Sequence, residues 1–307
     1  MRTQIEIRQE ITARIIEALS NGKLPPWRRP WQMDNNCGAH TNAVSQKRYT
    51  GVNPLLLQIA AARHNFSSKW WATFRQWKEL GGSVMKRPAN VPEGQWGTSI
   101  VYCAPVTKKE ADEDGDESES TFFMLKWYTV FNVDQVEGKC LDHLRFGNAP
   151  LNDHQIEERF LHAEKIVAAT GADIRHGGSR AFCALEDNFI QMPHRHLFDK
   201  PEFYYETLAH ELVHWTEPPC RLNWDRANEG YAMGELIAEI GGCYLTTEFG
   251  LPTSDDLTQH CSYLKTWLKG MEDPSFIFKA SAQANRAVDF ILAFSRKHEP
   301  EQEPALA

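Results

Sequence analysis

The most constraining feature of the sequence is the segment HELVH at residues 210–214, inside a stretch without Gly or Pro, EFYYETLAHELVHW (202–215). This composition predicts an α-helix. Histidines four residues apart on a helix project from one face, so His210 and His214 can bind the same metal ion. A metal ion lowers the pKa of a bound water, and the adjacent Glu211 can take its proton. The pattern favours a zinc metallopeptidase with Glu211 as general base; the alternative is a helix with incidental histidines.

A catalytic zinc ion needs a third protein ligand and an open position. Some 20 residues downstream, GELIAEIGG (234–242) is also helical in composition, and Glu235 and Glu239 share one face of it. The arrangement is similar to thermolysin-type enzymes. That resemblance implies that Glu235 is the third ligand and that Glu239 accepts a hydrogen bond from His210. The reverse assignment of the two carboxylates stays open.

Charge is distributed unevenly along the 307 residues. Residues 1–109 contain 16 Lys and Arg against 6 Asp and Glu, a balance of +10, whereas the remainder holds 17 against 35, or −18. Six of the ten tryptophans also precede residue 110. A basic, Trp-rich first part joined to an acidic second part predicts two domains with different partners.

Single-stranded nucleic acid is bound by cationic side chains along the phosphates and by flat aromatic rings under the bases. The first part of the chain combines both kinds of side chain in several segments, including PPWRRPW (25–31). For any individual Trp, packing in the core is slightly favoured over stacking on a base. The predicted contacts to single-stranded DNA are Arg28, Arg29, Lys47, Arg48, Tyr49, Lys69, Trp71, Arg75 and Lys78.

Apolar periodicity and turn residues predict an α+β fold in two domains. We expect a basic, Trp-rich domain over 1–140, a linker over 141–153, and a metallopeptidase domain over 154–307. Helices are predicted near 3–20, 54–63, 68–80, 155–169, 202–215, 231–248, 255–270 and 280–297. Strands are predicted near 98–106, 121–133, 172–176 and 181–191. Resemblance to zincins implies that the segment 182–193, before the metal helix, is an edge strand that holds an extended peptide by main-chain hydrogen bonds.

Composition also indicates the class of protein and its cellular compartment. No apolar run approaches the roughly 18 residues that a membrane span requires. The first ten residues, MRTQIEIRQE, lack the apolar core of a secretory signal, and the seven cysteines form no C-x-x-C pair. We therefore expect a cytoplasmic protein with reduced thiols and no membrane partner.

The chain resembles the ArdC-type antirestriction proteins of conjugative plasmids, whose N-terminal domain is also similar to that of TraC-type plasmid primases. The motifs that carry the resemblance, in chain order, are PPWRRPW, KRYTGVN (47–53), WWATFRQWKELGGSV (70–84), VFNVDQV (130–136), FYYETLAHELVHWT, Arg221-Leu222 and YAMGELIAEIGG. The resemblance implies an N-terminal domain that binds single-stranded DNA, a zincin-like (gluzincin-type) metallopeptidase domain with Zn²⁺ as cofactor, and protection of incoming plasmid DNA from host restriction.

Three functions remain open at this point. The first is an antirestriction protein with both DNA binding and a zinc peptidase site. The second is a DNA-binding protein whose metal site is structural or vestigial. The third is a DNA-dependent protease that acts on restriction enzymes or other DNA-bound proteins. The sequence does not identify a protein substrate.

Overall fold

The computed structural model describes most of the chain, including nearly all of the predicted elements. The described residues are 3–20, 25, 27–28, 34–111, 117–145, 147, 151–224, 230–253 and 261–296. Side chains are not described at 103–125 and 261–264. The α-helices are α1 (Gln4–Ser20), α2 (Asn53–His64), α3 (Phe74–Glu79), α4 (Asp153–Ala169), α5 (Pro201–Trp215), α6 (Tyr231–Glu248), α7 (Cys261–Gly270) and α8 (Phe276–Arg296).

The strands form three small sheets. They are β1 (Thr41–Asn42), β2 (Trp70–Thr73), β3 (Ser83–Val84), β4 (Thr98–Ala111), β5 (Glu117–Asn132), β6 (Val136–Glu137), β7 (Asp173–His176), β8 (Phe182–Ala184) and β9 (Phe189–Met192). The mixture of helices and sheets confirms the predicted α+β class. In the described part of the chain, no helix is long and apolar enough to cross a membrane.

The first half is built on a four-stranded sheet of order β1-β2-β5-β4. β4 and β5 form a long antiparallel hairpin, which confirms both predicted strands, and β2 extends it through antiparallel pairing with β5. The predicted helix at 54–63 is confirmed as α2. Its Leu57 and Ala61 pack against Trp71, Ile100 and Val130 of the sheet, so burial of these apolar side chains fixes the helix on the sheet.

The predicted helix over 68–80 is wrong in its first half. Its first residues form β2, and α3 begins only after Thr73, where Thr73 and Gln76 make a capping box. Trp70 and Trp71 therefore lie in a strand and not in the predicted helix. Phe74 is 59% exposed, whereas Trp77 is buried. Backbone pairing with β5 outweighs the local helical pattern here.

The second half places a three-stranded sheet of order β7-β9-β8 beside the helices. β7 and β9 are parallel, and β8 is an antiparallel edge strand. The predicted strand at 182–193 is therefore two strands joined by a turn. The predicted helices at 155–169, 202–215 and 231–248 are confirmed as α4, α5 and α6. The start of the helix predicted at 255–270 lies outside the described residues, and α8 begins four residues before its predicted start.

Helix α6 is the centre of the second half. Thirteen of its residues are buried, and its neighbours include α5 and α8. Helix α1 belongs to the same apolar core, since Ile7, Ile11 and Ile15 are buried with the residues of these helices. The predicted domain limits assign α1 to the first half, and its core also contains Leu55 and Leu56 of α2. Leu141 and Leu144, expected in the linker, are buried in the first half.

Candidate metal centre

The two glycines at the end of GELIAEIGG allow α5 and α6 to pack closely. A Cβ atom on Gly242 would lie 3.0 Å from the Cα and N atoms of His210, and one on Gly241 would lie 2.9 Å from a methyl group of Val213. Such distances leave no room for a side chain between the helices. The sequence thus brings the backbone of α6 directly against the turn of α5 that carries the first histidine.

Three side chains from these helices converge. His210 Nε2 lies 3.7 Å from one carboxylate oxygen of Glu235, and His214 Nε2 lies 3.6 Å from the other. One ligand atom from each residue lies within 4.8 Å of the other two. Ligands about 2.1 Å from a tetrahedral zinc ion are about 3.4 Å apart. The two imidazoles and one carboxylate therefore have the chemistry and nearly the spacing to hold such an ion.

The charges at this site favour an ionised carboxylate. Burial by itself would raise the pKa of Glu235, but the neighbouring His210 and His214 lower it well below its usual range. Burial would likewise lower the pKa of His210, yet Glu235, Glu211 and Glu239 together raise it. Metal binding requires a neutral imidazole, so an ion at this site would compete with protons for His210.

Glu211 lies between the two histidines in sequence and is 8% exposed. It contributes to the negative charge around His210 but is not part of the group of three ligand atoms. This position agrees with the general-base role predicted for it, which requires a carboxylate beside the metal and outside its ligand shell.

Further carboxylates face the other nitrogen of each imidazole. Glu239 Oε2 lies 3.9 Å from His210 Nδ1, and Glu217 Oε2 lies 3.7 Å from His214 Nδ1. The Trp224 ring is nearly parallel to that of His214, with centroids 6.3 Å apart. The sequence interpretation assigned Glu239 to this role but missed Glu217. Its spacing, three residues after His214, was the available signal.

Two residues of the N-terminal half also reach this region. Arg28 is 4% exposed and pairs with Glu206 of α5 and Glu239 of α6. Trp27 is buried and donates its indole N–H to Glu239 at 3.2 Å. Arg28 was predicted to contact DNA. The structure instead places it in a buried ion pair, because two carboxylates of the metal helices surround it.

The residues predicted to contact DNA lie in different parts of the structure. Lys47, Arg48 and Lys69 line one cleft of about 760 Å³ between the two halves. The second half contributes two further cations, Arg159 and Arg296, to the same cleft. Three carboxylates also line it: Glu158, Glu248 and Asp289. None of the three converging ligand residues lines this cleft.

Arg48 and Arg159 each make contacts that join the two halves. Arg48 is paired with Glu248 and Asp289. Arg159 donates to the carbonyl oxygens of Gly250 and Asp34. Desolvation lowers the pKa of Arg159, against the raising effect of Cys37 and Asp34.

The remaining predicted contacts lie elsewhere. Arg75 and Lys78 are exposed on α3, and Arg29 lies outside the described residues. Tyr49 borders a neighbouring pocket and bonds to Asn42 through its hydroxyl. Trp71 is 0% exposed and donates its indole N–H to His40 at 2.9 Å. Its ring has no free face for a base, so the structure assigns Trp71 to the core.

Comparison with family models divides the chain in two. Residues 5–131 match the N-terminal domain of anti-restriction factor ArdC. Residues 161–283 match a zincin-like metallopeptidase family. The second match contains both metal helices, and the first contains the basic segments.

Solved structures similar to the chain include two crystal structures of the antirestriction protein ArdC from plasmid R388. The metal-free form is 34% identical, with a TM-score of 0.74, and the match covers 96% of this chain and 100% of that one. The Mn(II)-bound form is 33% identical, with a TM-score of 0.69, over 95% and 99% of the two chains.

A longer relative is a DNA primase TraC from Escherichia coli, which is 34% identical over 309 residues. The match covers 96% of this chain but only 28% of the primase. The chain therefore corresponds to about a quarter of that relative.

Proposed function

Because the chain belongs to the ArdC family of antirestriction proteins, we propose that it binds single-stranded DNA and protects it from restriction, and that it carries a zinc peptidase site. The observation that carries the peptidase part is the convergence of His210, His214 and Glu235 within 4.8 Å, with Glu211 beside them. The DNA-binding part is supported by the cation-lined cleft.

The choice of metal follows from the donor set. Two imidazole nitrogens and one carboxylate are the ligands of many catalytic zinc sites, which keep a fourth position open for water. Ligand-to-ligand distances of 3.6 and 3.7 Å are close to the edge of a zinc tetrahedron, about 3.4 Å. The ArdC protein from plasmid R388 has a Mn(II)-bound crystal structure, so elemental analysis of this chain should compare Zn²⁺ with Mn²⁺.

The side chains have separate tasks in this proposal. A bound ion supplies Lewis acidity, which acidifies a water molecule and polarises a carbonyl group. Glu211 accepts the proton of that water and passes it to the leaving amine. Glu235 is the third ligand, and Glu239 and Glu217 orient the two imidazoles through their Nδ1 atoms.

DNA binding is assigned to the cleft between the two halves. Lys47, Arg48 and Lys69 of the first half line it together with Arg159 and Arg296 of the second. Cations from both halves suit a single strand, whose phosphates are attracted to the positive charge. The exposed Arg75 and Lys78 of α3 are assigned a secondary part, since they do not line the cleft.

A second candidate function is DNA protection without proteolysis. It is favoured by one observation: the cleft shares none of the residues of the metal group, so a strand can bind without using the peptidase site. The third function differs in the opposite direction: the protein is a protease that acts on restriction enzymes or other DNA-bound proteins, and proteolysis is its activity.

One substitution separates these functions. Glu211→Gln keeps the side chain's shape but cannot accept a proton, and Glu211→Ala removes the group. Both variants should retain about one Zn²⁺ per chain by elemental analysis. In a restriction assay on incoming DNA, loss of protection in both supports a peptidase mechanism. Full protection in both contradicts it and supports DNA binding alone.

A parallel assay tests proteolysis directly. Purified protein is incubated with restriction enzymes, with and without single-stranded DNA and a chelator. Cleavage that requires DNA and is blocked by the chelator and by Glu211→Gln supports the peptidase role. Cleavage that persists in Glu211→Gln would show that a contaminating protease is responsible.

A further inference from the structure

The segment containing Trp27 and Arg28 was predicted for DNA, but its described residues lie against the metal helices. We propose that Trp27 and Arg28 are positioning residues of the metal centre, contributed by the N-terminal half of the chain. They act on the ligands through Glu206 and Glu239. The inference rests on the metal site proposed above and adds to it a part of the chain that lies outside the zincin-like match at 161–283.

Arg28 joins the two helices that carry the ligands. Its Nε donates to Glu239 Oε1 at 2.8 Å, and its Nη1 forms an ion pair with Glu206 Oε1 at 2.9 Å. Glu206 lies one helical turn before His210 on α5, and Glu239 lies one turn after Glu235 on α6. One guanidinium group thus holds both helices at the level of the ligands. Only Arg has the planar, forked donors for two such contacts.

Trp27 forms a second hydrogen bond to the same oxygen of Glu239. Its indole N–H also donates to Glu239 Oε1, at 3.2 Å. Its ring packs edge-on against Trp267, with centroids 5.9 Å apart, and Trp267 in turn donates to the carbonyl of Ala232 at the start of α6. The tryptophan is therefore fixed by packing on one side while its polar edge faces the carboxylate.

The two carboxylate oxygens of Glu239 therefore have different partners. Oε1 accepts the bonds from Trp27 and Arg28, while Oε2 faces His210 Nδ1 at 3.9 Å. A carboxylate on the far nitrogen of a ligating histidine fixes the ring and its tautomer and makes it a better ligand. Fixing Oε1 sets the direction of Oε2, so the N-terminal residues determine how well His210 is oriented.

A role of Arg28 in DNA binding fits these contacts poorly. The side chain is 4% exposed. To reach a phosphate it would have to leave Glu206 and Glu239, which are themselves buried or nearly so at 12% and 4% side-chain exposure. A buried carboxylate without its cation is strongly unfavourable. DNA binding through Arg28 is nevertheless a measurable alternative.

The experiment measures Zn²⁺ affinity of the full chain by competition with a chelating dye. Trp27→Phe keeps the ring and removes only the N–H, and Arg28→Lys keeps the charge but loses the fork. Each should weaken Zn²⁺ binding by about tenfold, the lower end of the range for groups that orient metal ligands. Matched controls are Trp96→Phe and Arg145→Lys, whose side chains donate to the carbonyl oxygens of Met85, Val133 and Val136 in the first half.

A double-mutant cycle separates positioning from general destabilisation. Glu239→Gln alone should weaken Zn²⁺ binding, and adding Trp27→Phe to it should have little further effect, because both act through the same carboxylate. Independent, additive losses would overturn the inference. So would unchanged Zn²⁺ affinity in folded Trp27→Phe and Arg28→Lys proteins.

Binding of single-stranded DNA is measured on the same variants. Unchanged DNA affinity with weakened Zn²⁺ binding supports the inference. Lost DNA affinity with unchanged Zn²⁺ binding overturns it and returns Arg28 to the DNA contacts. A wild-type chain that binds no Zn²⁺ overturns the proposed peptidase function itself, and that outcome is distinct from a failure confined to the variants.

Discussion

The metal helices and the basic cleft differ in how far apart in sequence their residues lie. His210, Glu211 and His214 occupy one helical turn, and Glu235 lies on the helix that follows. The cleft draws on residues from Asn35 to Arg296. Helical geometry aligns His210 and His214, and the packing of the neighbouring helix adds Glu235. The cleft, by contrast, is assembled only by the packing of the two halves. The comparison teaches that local spacing encodes chemistry reliably, while a binding surface has to be located in the fold.

The largest effect expected from this comparison is on metal binding. His210→Ala leaves one imidazole and one carboxylate, so Zn²⁺ affinity should fall by roughly 1,000-fold or more, because a catalytic site needs three protein ligands. The measurement is elemental analysis after gel filtration, together with dye competition. His154→Ala, an exposed histidine on α4, is the control. Stoichiometric Zn²⁺ in His210→Ala would break the comparison, since local spacing would then not define the site.

The next effect concerns the core of the first half. Trp71→Ala should lower the free energy of unfolding by about 3–5 kcal/mol, the usual cost of removing a large buried aromatic side chain. Urea denaturation followed by circular dichroism measures it. If Trp71 instead stacked on DNA bases, the folded variant would lose DNA affinity with little change in stability. The sequence-based prediction that Trp71 contacts DNA would then be correct.

A smaller effect is expected at the contact between α5 and α6. Gly242→Ala introduces a Cβ atom 3.0 Å from the backbone of His210, so it should reduce the free energy of unfolding by about 1–3 kcal/mol and weaken Zn²⁺ binding by displacing α6. Thermal unfolding with and without Zn²⁺ measures both. A variant as stable as the wild type, with the same Zn²⁺-induced rise in Tm, would show that the close helix contact is not needed.

The smallest effect is on DNA binding. Lys47→Ala combined with Lys69→Ala removes two cations of the cleft and should weaken single-strand binding by about tenfold, and the slope of log affinity against log salt should fall by about 1.4. Fluorescence anisotropy over a salt series measures both quantities. Arg75→Ala combined with Lys78→Ala is the matched control on α3. A larger loss in the control would move the DNA surface from the cleft to α3.

Much of the fold could be predicted from sequence wherever local signals agreed with tertiary packing. The helix containing HELVH and the following helix at 231–248 were recognised from composition and the absence of breakers, and α6 has the predicted bounds. The hairpin of β4 and β5 was likewise visible as alternating segments. The segment at Trp70–Thr73 failed because its partner, β5, lies some 60 residues away, and helical spacing cannot reveal that pairing.

The candidate site shows the same limit. Glu217 could have been found by its spacing from His214, and Glu206 by its position four residues before His210. Arg28 could not, since it lies 211 residues from Glu239 and the local pattern of Trp and Arg is typical of nucleic-acid binding. A basic residue beside tryptophans gives the same sequence pattern whether it is a surface cation or part of a buried ion pair. Only the position of its carboxylate partners distinguishes them.

The proposed metal centre requires three side chains to share one ion. The most direct measurement is a crystal structure of the Zn²⁺-loaded chain with anomalous data collected at the zinc edge. We predict one peak per chain, with Nε2 of His210 and of His214 and a carboxylate oxygen of Glu235 at about 2.0–2.2 Å. A zinc peak elsewhere, or one bound by Glu239 in place of Glu235, would contradict the account.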